Sequence, residues 1–222
     1  MVYLKYFFYI GVNWGWIIAI KLLLEEIKGE NKYGISTTGT DELKSLSQKG
    51  IDISKATFYM PSSYSVLEKA FKELHRHPKK HLLDIGSGKG RCLCVGAYFG
   101  FKKLTGIDFS AELCKQATEN LTNTNKRNNT FSFEIINASI LDTTIPKDID
   151  CVLLFNPFNE KMTQLMLEKM KQDLPFGFKD LTVIYINPLY KALFTKAGFK
   201  EIYYDKRFTY LEVSILKYPY KK

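Results

Sequence analysis

The sequence predicts an α/β fold: a seven-stranded, mostly parallel sheet with a C-terminal antiparallel hairpin and a helical N-terminal extension. From residue 81 onward, apolar runs of strand length alternate with helical stretches, a pattern typical of a parallel sheet covered on both faces. The last two runs, 201–207 and 210–216, follow one another across a short turn and predict the hairpin. A chain of 222 residues has room for this domain and an extension.

The composition excludes several classes of protein. Hydrophobic residues make up 45% of the chain and charged residues 25%, so the chain is not disordered. Four cysteines are too few for a disulfide scaffold of this size, which indicates a reduced, cytoplasmic protein. The formal charge of +9 is spread over the chain and gives only a weak indication of acidic partners.

An apolar run of 15 residues, 6–20, opens the N-terminal extension between Lys5 and Lys21. A membrane-spanning helix needs about 20 apolar residues, so the run is short for a span. We expect a buried helix laid over the main domain. Peripheral membrane contact through residues 6–20 is the alternative, since Trp14 and Trp16 suit a membrane interface.

The chain divides into three parts: a helical N-terminal extension (1–54), a lid loop with a linker helix (55–80), and the main domain (81–222). The extension should contain a short helix over 41–48 capped by Asp41, and the linker helix should cover 65–75. The histidines at 75, 77 and 81 predict a solvated linker and no metal site, because a proline and two lysines interrupt them.

The main domain alternates strands and helices in chain order. Predicted strands are 81–85, 103–108, 131–136, 150–156 and 181–187, and the helices between and after them are 91–99, 111–121, 160–171 and 190–196. Ligands of such sheets bind beyond the carboxyl ends of the strands, near the switch in strand order. The informative residues should therefore follow the strands.

A glycine-rich loop follows the first strand and runs from Asp84 through Gly90 as DIGSGKG. A dinucleotide fingerprint would need glycine where Arg91 stands, and the spacing of a phosphate loop is absent. We expect Lys89 and Arg91 to be solvated residues of the first helical turn. The carboxylate of Asp84 would repel a pyrophosphate and attract a cationic ligand. Asp108, at the end of the second strand, stands where a carboxylate can accept hydrogen bonds from ribose hydroxyls.

The segments LLDIGSGKGR, TGIDFS and LLFNPF, in this order and spacing, resemble the Rossmann-like class I methyltransferases that use S-adenosylmethionine (SAM). The resemblance covers about residues 55–217. It implies that Asp84 faces the amino group of SAM and that Asp108 holds its ribose. It also implies cofactor contacts from the loop residues Gly86, Ser87, Gly88 and Gly90, and adenine contacts from Phe109 and Ser139. Ser139 stands where the family usually has an acidic residue.

The fourth strand ends in Asn156, Pro157 and Phe158, which resemble the Asn-Pro-Pro-Tyr/Phe motif of amino-group methyltransferases without one proline. In that family the asparagine accepts hydrogen bonds from the target nitrogen. Methyl transfer needs the nitrogen lone pair in line with the sulfonium, so positioning carries much of the catalysis. The alternative is a plain strand-ending turn. The fifth strand ends in a second Asn-Pro step at Asn187. This step either lines the substrate side of the cleft or is a plain strand-ending turn.

A second resemblance is to the non-SET histone lysine methyltransferases of the disruptor-of-telomeric-silencing type, which have a helical N-terminal part and a lid loop that closes over SAM. The segment FYMPSSY, 58–64, stands at the matching place and implies cofactor or substrate contacts for Tyr59 and Ser62. Ser62 is alternatively a helix cap. The chain lacks the long basic tail of those enzymes, so a histone substrate does not follow. The layout also resembles small lysine methyltransferases that a hydrophobic N-terminal segment places at membranes.

The sequence thus predicts a SAM-dependent methyltransferase that modifies an amine nitrogen, with a protein lysine as the favoured acceptor. Nucleic acid is less favoured, because no dense basic patch with interleaved aromatics is present. Two alternatives remain: an NAD-type oxidoreductase on the same kind of sheet, and a membrane-associated SAM-fold binding protein without catalysis.

Overall fold

The computed structural model of the chain describes residues 2–39, 61–74, 80–128, 130–174, 178, 180–207 and 211–219. Several sequence predictions lie outside these residues: the helix over 41–48 with its Asp41 cap, the lid residue Tyr59, and the histidines at 75 and 77.

The described residues form helices and strands in the alternating order that the sequence predicts. The helices are α1 (Val2–Trp14), α2 (Trp16–Tyr33), α3 (Tyr64–Leu74), α4 (Arg91–Tyr98), α5 (Ala111–Asn128), α6 (Glu160–Asp173) and α7 (Lys191–Lys196). The strands are β1 (His81–Ile85), β2 (Lys103–Asp108), β3 (Ser132–Asn137), β4 (Cys151–Phe155), β5 (Thr182–Ile186), β6 (Lys200–Arg207) and β7 (Leu211–Lys217). Most boundaries agree with the predictions within one or two residues; α5 is longer than expected.

The strands form one seven-stranded sheet in the order β3-β2-β1-β4-β5-β7-β6. Strand β7 is antiparallel to both of its neighbours, and the other neighbouring pairs are parallel. The predicted fold class is therefore confirmed, including the C-terminal hairpin. The strand order reverses between β1 and β4, so the carboxyl ends of these two strands flank the crevice where such sheets bind ligands.

Two apolar cores cover the faces of the sheet. Leu82 and Leu83, adjacent on β1, point to opposite faces and are both fully buried. Leu82 joins the core that contains α3 and α4, and Leu83 joins the core that contains α6. Burial on both faces explains why the central strands read as continuous apolar runs without alternation.

The apolar N-terminal run forms two helices, so the prediction of one buried helix is wrong. Gly15 has a φ of 100°, which breaks the run between α1 and α2 and lets the helices pack as a hairpin. Many apolar side chains of the hairpin are exposed, with Val12 at 76% and Ile17 at 74%. Within the described residues, no helix has the length and apolar character that a membrane crossing requires.

His81 opens β1 and is buried, which corrects the prediction of a solvated linker at this position. Its Nδ1 lies 3.0 Å from Asp148 Oδ1, and its Nε2 lies 2.8 Å from Thr105 Oγ1. Burial lowers the pKa of the imidazole despite the nearby Asp148 carboxylate. His81 is thus a structural residue at the amino end of the sheet, opposite the crevice.

Gly29 lets α2 approach α3, and its replacement gives a first testable prediction. A Cβ on Gly29 would lie 2.2 Å from Cδ2 of Tyr64, which is buried and stacked on Tyr33. Gly29→Ala is therefore expected to lower the free energy of unfolding by about 1–3 kcal/mol. Denaturant unfolding would measure this, with the exposed Asn31→Ala in the same helix as the control. Equal stability of the two variants would contradict the tight packing of α2.

Candidate active site

The glycine-rich loop after β1 has a backbone that its three glycines make possible. Gly86, Gly88 and Gly90 all have positive φ, at 78°, 51° and 78°. The Gly86 N–H donates to Ile107 O at 2.8 Å, and the Gly88 N–H donates to Asp108 Oδ2 at 2.9 Å. The loop is thereby tied to the end of β2, and the two acidic strand ends predicted from the sequence lie together.

Asp84 lies under this loop with its carboxylate out of solvent, at 2% exposure. Among the described residues, neither its Oδ2 nor the buried Ser87 Oγ has a hydrogen-bond partner. Burial, together with the neighbouring carboxylate of Asp108, raises the pKa of Asp84 to about 8. A buried carboxylate oxygen without a partner is unfavourable, so this position is suited to a ligand that brings a cation or a donor.

A short polar chain connects Asp84 to the segment before α3. The Cys92 thiol hydrogen-bonds to the Asp84 carboxyl, and its Sγ lies 3.3 Å from the hydroxyl of buried Ser62. The sequence prediction placed Ser62 at the cofactor site, and in the structure the Cys92 side chain links Ser62 to Asp84. The sequence did not predict a role for Cys92 there.

Arg91 is buried at 3% exposure, so the prediction of a solvated side chain is wrong. Its guanidinium donates to both carboxylate oxygens of Glu26, at 2.8 and 2.5 Å, and to Ser62 O at 2.7 Å. Its Nε donates to Thr37 Oγ1 at 2.8 Å, and the group lies 4.2 Å from the centre of the Tyr64 ring. The helix that begins at the glycine loop is therefore joined to α2 by a paired, fully satisfied buried charge.

The segment after α2 also crosses the glycine loop. The side-chain amide of Asn120 on α5 donates to Ser36 O at 3.2 Å and to Lys89 O at 3.0 Å. The Lys89 ammonium reaches Thr38 O at 3.5 Å, so this side chain also turns toward the extension. The N-terminal extension is thus part of the wall of the crevice.

The ends of β2 and β3 carry the residues expected near the ribose and adenine. Asp108 is buried, and its Oδ1 accepts from the Ser110 N–H at 2.9 Å. Burial raises its pKa, although the Ser110 and Gly88 N–H groups oppose the rise. Phe109 is 36% exposed at the rim. Ser139 is half-buried and its hydroxyl accepts from a backbone N–H two residues on, at 3.2 Å.

The Asn156-Pro157-Phe158 segment lies directly against the glycine loop. A Cβ built on Gly86 would be 2.8 Å from Pro157 Cβ, so only glycine fits beneath this proline. Asn156 has a φ of 40°, a left-handed conformation that asparagine tolerates better than most residues. Such strained positions cluster at functional sites. Phe158 is half-buried against the core.

Tyr185 on β5 holds the side chain of Asn156. Its hydroxyl donates to Asn156 Oδ1 at 3.2 Å and accepts from the Tyr190 N–H at 3.4 Å. Because the hydroxyl accepts on one side, its proton points to the asparagine. Asn187 follows β5 at the position next to Asn156 in strand register and has a φ of 50°. The sequence marked the two Asn-Pro steps but not this hydrogen bond.

The described residues contain no group of three or more side chains that could hold a metal ion. The structure brings together Asp84, the glycine loop, Asp108, Ser62 and the Asn156 segment. Tyr59 lies outside the described residues, so its predicted contact stays a prediction.

Comparisons with known proteins bear on the domain and its fold. The sequence model of a family described as "Methyltransferase domain" matches residues 82–175. A search of curated proteins finds no match.

Solved methyltransferases share the fold at low sequence identity. Magnesium protoporphyrin IX methyltransferase from Synechocystis PCC 6803, with bound SAM, has 14% identity and a TM-score of 0.55, over 70% of this chain and 79% of that one. An RNA methyltransferase from Salinibacter ruber, in complex with S-adenosyl-L-homocysteine, has 16% identity and a TM-score of 0.55, over 73% and 96%. A ribosomal protein L11 methylase from Lactobacillus delbrueckii subsp. bulgaricus has 15% identity and a TM-score of 0.53, over 68% and 76%.

The acceptors named for these proteins differ, and none of the comparisons supports the finer resemblance to non-SET histone lysine methyltransferases. The domain match and the shared fold favour a methyltransferase over an NAD-type oxidoreductase. Residues 82–175 therefore match a methyltransferase domain, and the fold is that of class I methyltransferases that use SAM.

Proposed function

We propose that this protein transfers a methyl group from SAM to an amine nitrogen, with a protein lysine as the favoured acceptor. The observation that carries the proposal is the position of Asn156-Pro157-Phe158: the proline packs on the cofactor loop, and Tyr185 holds the asparagine amide. A plain strand-ending turn would need neither contact.

The residues of the loop fit the cofactor. SAM carries an ammonium and a sulfonium, and the buried Asp84 Oδ2, which has no partner among the described residues, is a matching acceptor. We assign the amino group of SAM to Asp84 and its ribose to Asp108, whose carboxylate oxygens keep acceptor capacity beyond their two backbone bonds. Further contacts are assigned to the loop (Gly86, Ser87, Gly88, Gly90) and, around the adenine and the lid side, to Phe109, Ser139 and Ser62. When bound, SAM supplies an electrophilic methyl group.

The acceptor side is built to orient a neutral amine. Asn156 Oδ1 accepts from the Tyr185 hydroxyl, and an amide oxygen can accept two hydrogen bonds, which suits it to orient an N–H of the substrate. The amine lone pair forms the new N–C bond while the S–C bond breaks and its electrons remain on sulfur; the product ammonium then releases a proton to water. Phe158 offers an aromatic surface to the cationic product. Positioning of this kind can contribute several kcal/mol.

Tyr185→Phe should separate orientation from cofactor binding. The change removes one hydrogen bond that orients the Asn156 amide, so kcat should fall roughly ten-fold while the Kd for S-adenosylhomocysteine (SAH) stays unchanged. Steady-state assays and calorimetry would measure both. Tyr204→Phe, on edge strand β6, is the control and should be neutral. An unchanged kcat in Tyr185→Phe would contradict the role assigned to Tyr185.

The experiment that tests the function is transfer of label from tritiated SAM into a cell lysate, followed by protease or nuclease digestion. Label that protease releases would support a protein acceptor. Label that nuclease releases would overturn the protein acceptor and favour an amino group on a base. Binding of SAH without transfer to any fraction would favour the noncatalytic alternative. The label transferred by the Asp84→Asn variant gives the background of the assay.

A further inference from the structure

Helix α1 presents a continuous apolar stripe to solvent. Leu4, Phe8 and Val12 are spaced by four residues and are 60%, 51% and 76% exposed. The opposite side of the helix carries Tyr6 and Ile10, which are buried in a small cluster between α1 and α2. The helix is therefore apolar on both sides, although the protein itself covers only one.

Helix α2 continues this exposed surface. Ile17, Ile20 and Leu24, spaced by three and four residues, are 74%, 51% and 51% exposed. The rings of Phe8 and Trp16 meet edge to face at 5.9 Å, which joins the two stripes at the tip of the hairpin. We call these residues the hairpin face: Leu4, Phe8, Val12, Ile17, Ile20 and Leu24.

The acidic and basic side chains of the hairpin differ in their exposure to solvent. Residues 1–34 contain three acidic side chains, and all three bond toward the protein. Glu25 accepts from Ser63 and Ser65 hydroxyls, Glu26 pairs with buried Arg91, and Glu30 accepts backbone N–H groups after α2. The lysines of the same segment are all exposed, and one of them, Lys32, pairs with Glu68 at 2.8 Å; the others are Lys5, Lys21 and Lys28. The hairpin thus shows solvent an apolar and cationic surface.

This combination identifies the partner by its chemistry. A second copy of the chain could cover the apolar stripes, but it would bring the same lysines face to face around a twofold axis. An anionic lipid bilayer matches both features, because apolar side chains enter the acyl boundary while lysines meet the headgroups. Trp16, half-exposed at the tip, is a side chain typical of that interface.

We propose that the α1–α2 hairpin docks the protein onto the surface of an anionic bilayer through the hairpin face. The hairpin lies in the interface and does not cross it, in agreement with the length of its helices. Because Glu26 on α2 is bonded to Arg91 at the start of α4, docking would also hold the cofactor loop at a fixed distance from the membrane. The inference is independent of the acceptor that the enzyme methylates.

Tryptophan fluorescence tests the proposal without any activity assay. Trp14 and Trp16 are the two tryptophans of the chain, and both lie at the hairpin tip, so their emission reports this site alone. Vesicles of phosphatidylcholine with about one-third phosphatidylglycerol should shift the emission to the blue and co-sediment the protein, whereas pure phosphatidylcholine should bind it much more weakly. Removal of two lysines, in Lys5→Gln/Lys28→Gln, should weaken binding roughly five-fold per lysine.

The apolar part is tested with Val12→Glu/Ile17→Glu, which should lower binding by at least about ten-fold. Ile202→Glu, the same kind of change at an exposed position on edge strand β6, is the matched control and should bind as the unmodified protein does. Unchanged thermal melting of all variants would show that the fold is intact. Absence of a blue shift with anionic vesicles would overturn the proposal. So would a dimer in light scattering that Val12→Glu/Ile17→Glu converts to a monomer while vesicle binding persists.

Discussion

Replacing Asp84 with asparagine should weaken SAH binding by at least about 100-fold, because a buried cation would lose its charged partner. The change keeps the size of the side chain and removes the charge. Methyl transfer should fall at least as far. Asp84 is buried, its Oδ2 has no partner in the part of the chain that the structure describes, and its pKa is raised to about 8. All three features indicate a side chain suited to a cationic ligand.

The same substitution should stabilise the ligand-free protein at alkaline pH. In the unfolded chain the carboxyl ionises near its ordinary pKa of 3.8, but in the folded protein it holds its proton up to about pH 8. The folded state therefore binds more protons between these values, and ionisation of Asp84 opposes folding as the pH rises through this window. The gain in Tm of Asp84→Asn over the unmodified protein should grow with pH and level off above about pH 8.

Cofactor binding should show the opposite sign of pH dependence. Binding requires the ionised carboxylate, so SAH affinity should rise roughly ten-fold per unit between about pH 6 and pH 7.5, with release of a proton. Asp142→Asn, an exposed aspartate near the end of β3, is the control and should change neither affinity nor the pH profile. Retention of tight SAH binding by Asp84→Asn would contradict the cofactor assignment.

Replacing Asn156 with glycine should lower kcat by about 100-fold and leave SAH binding almost unchanged. Glycine is the informative choice, because Asn156 has a positive φ and alanine would add backbone strain to the loss of the amide. The variant removes the hydrogen-bond acceptor assigned to the substrate amine. Separate measurement of kcat and of the SAH Kd distinguishes this from damage to the cofactor loop.

Asp180→Gly provides the matched control for this substitution. Asp180 also has a left-handed backbone, with a φ of 59°, but it precedes β5 at the amino end of the sheet, away from the crevice. Its replacement should leave kcat unchanged. If Asn156→Gly retained full kcat, Asn156-Pro157 would be a strand-ending turn without a role in transfer.

The sheet was predictable from the sequence because its central strands are buried on both faces. Strand β4, for example, is a continuous apolar run, and the residues that follow such strands mark the crevice without knowledge of any contact. The loop after Asp84 was predictable for a similar reason, since three closely spaced glycines are needed by its backbone. These features are local in sequence.

The features that the sequence did not reveal depend on distant partners. Arg91 has the pattern of a solvated helix residue, and its burial follows from Glu26, which lies 65 positions earlier. The hydrogen bond between Tyr185 and Asn156 likewise joins two strands. The N-terminal run was misjudged because Gly15 turns the chain back, and apolarity alone does not show which side of each helix finds a partner.

Identification of the methylated atom tests the central claim most directly. The purified protein, labelled SAM and the lysate fraction that accepts label would be incubated, and the labelled product hydrolysed and analysed by mass spectrometry. We predict methyl on the side-chain nitrogen of lysine, lost in both Asp84→Asn and Asn156→Gly. Methyl on an oxygen or a carbon, or label at the level of the Asp84→Asn background, would contradict the account.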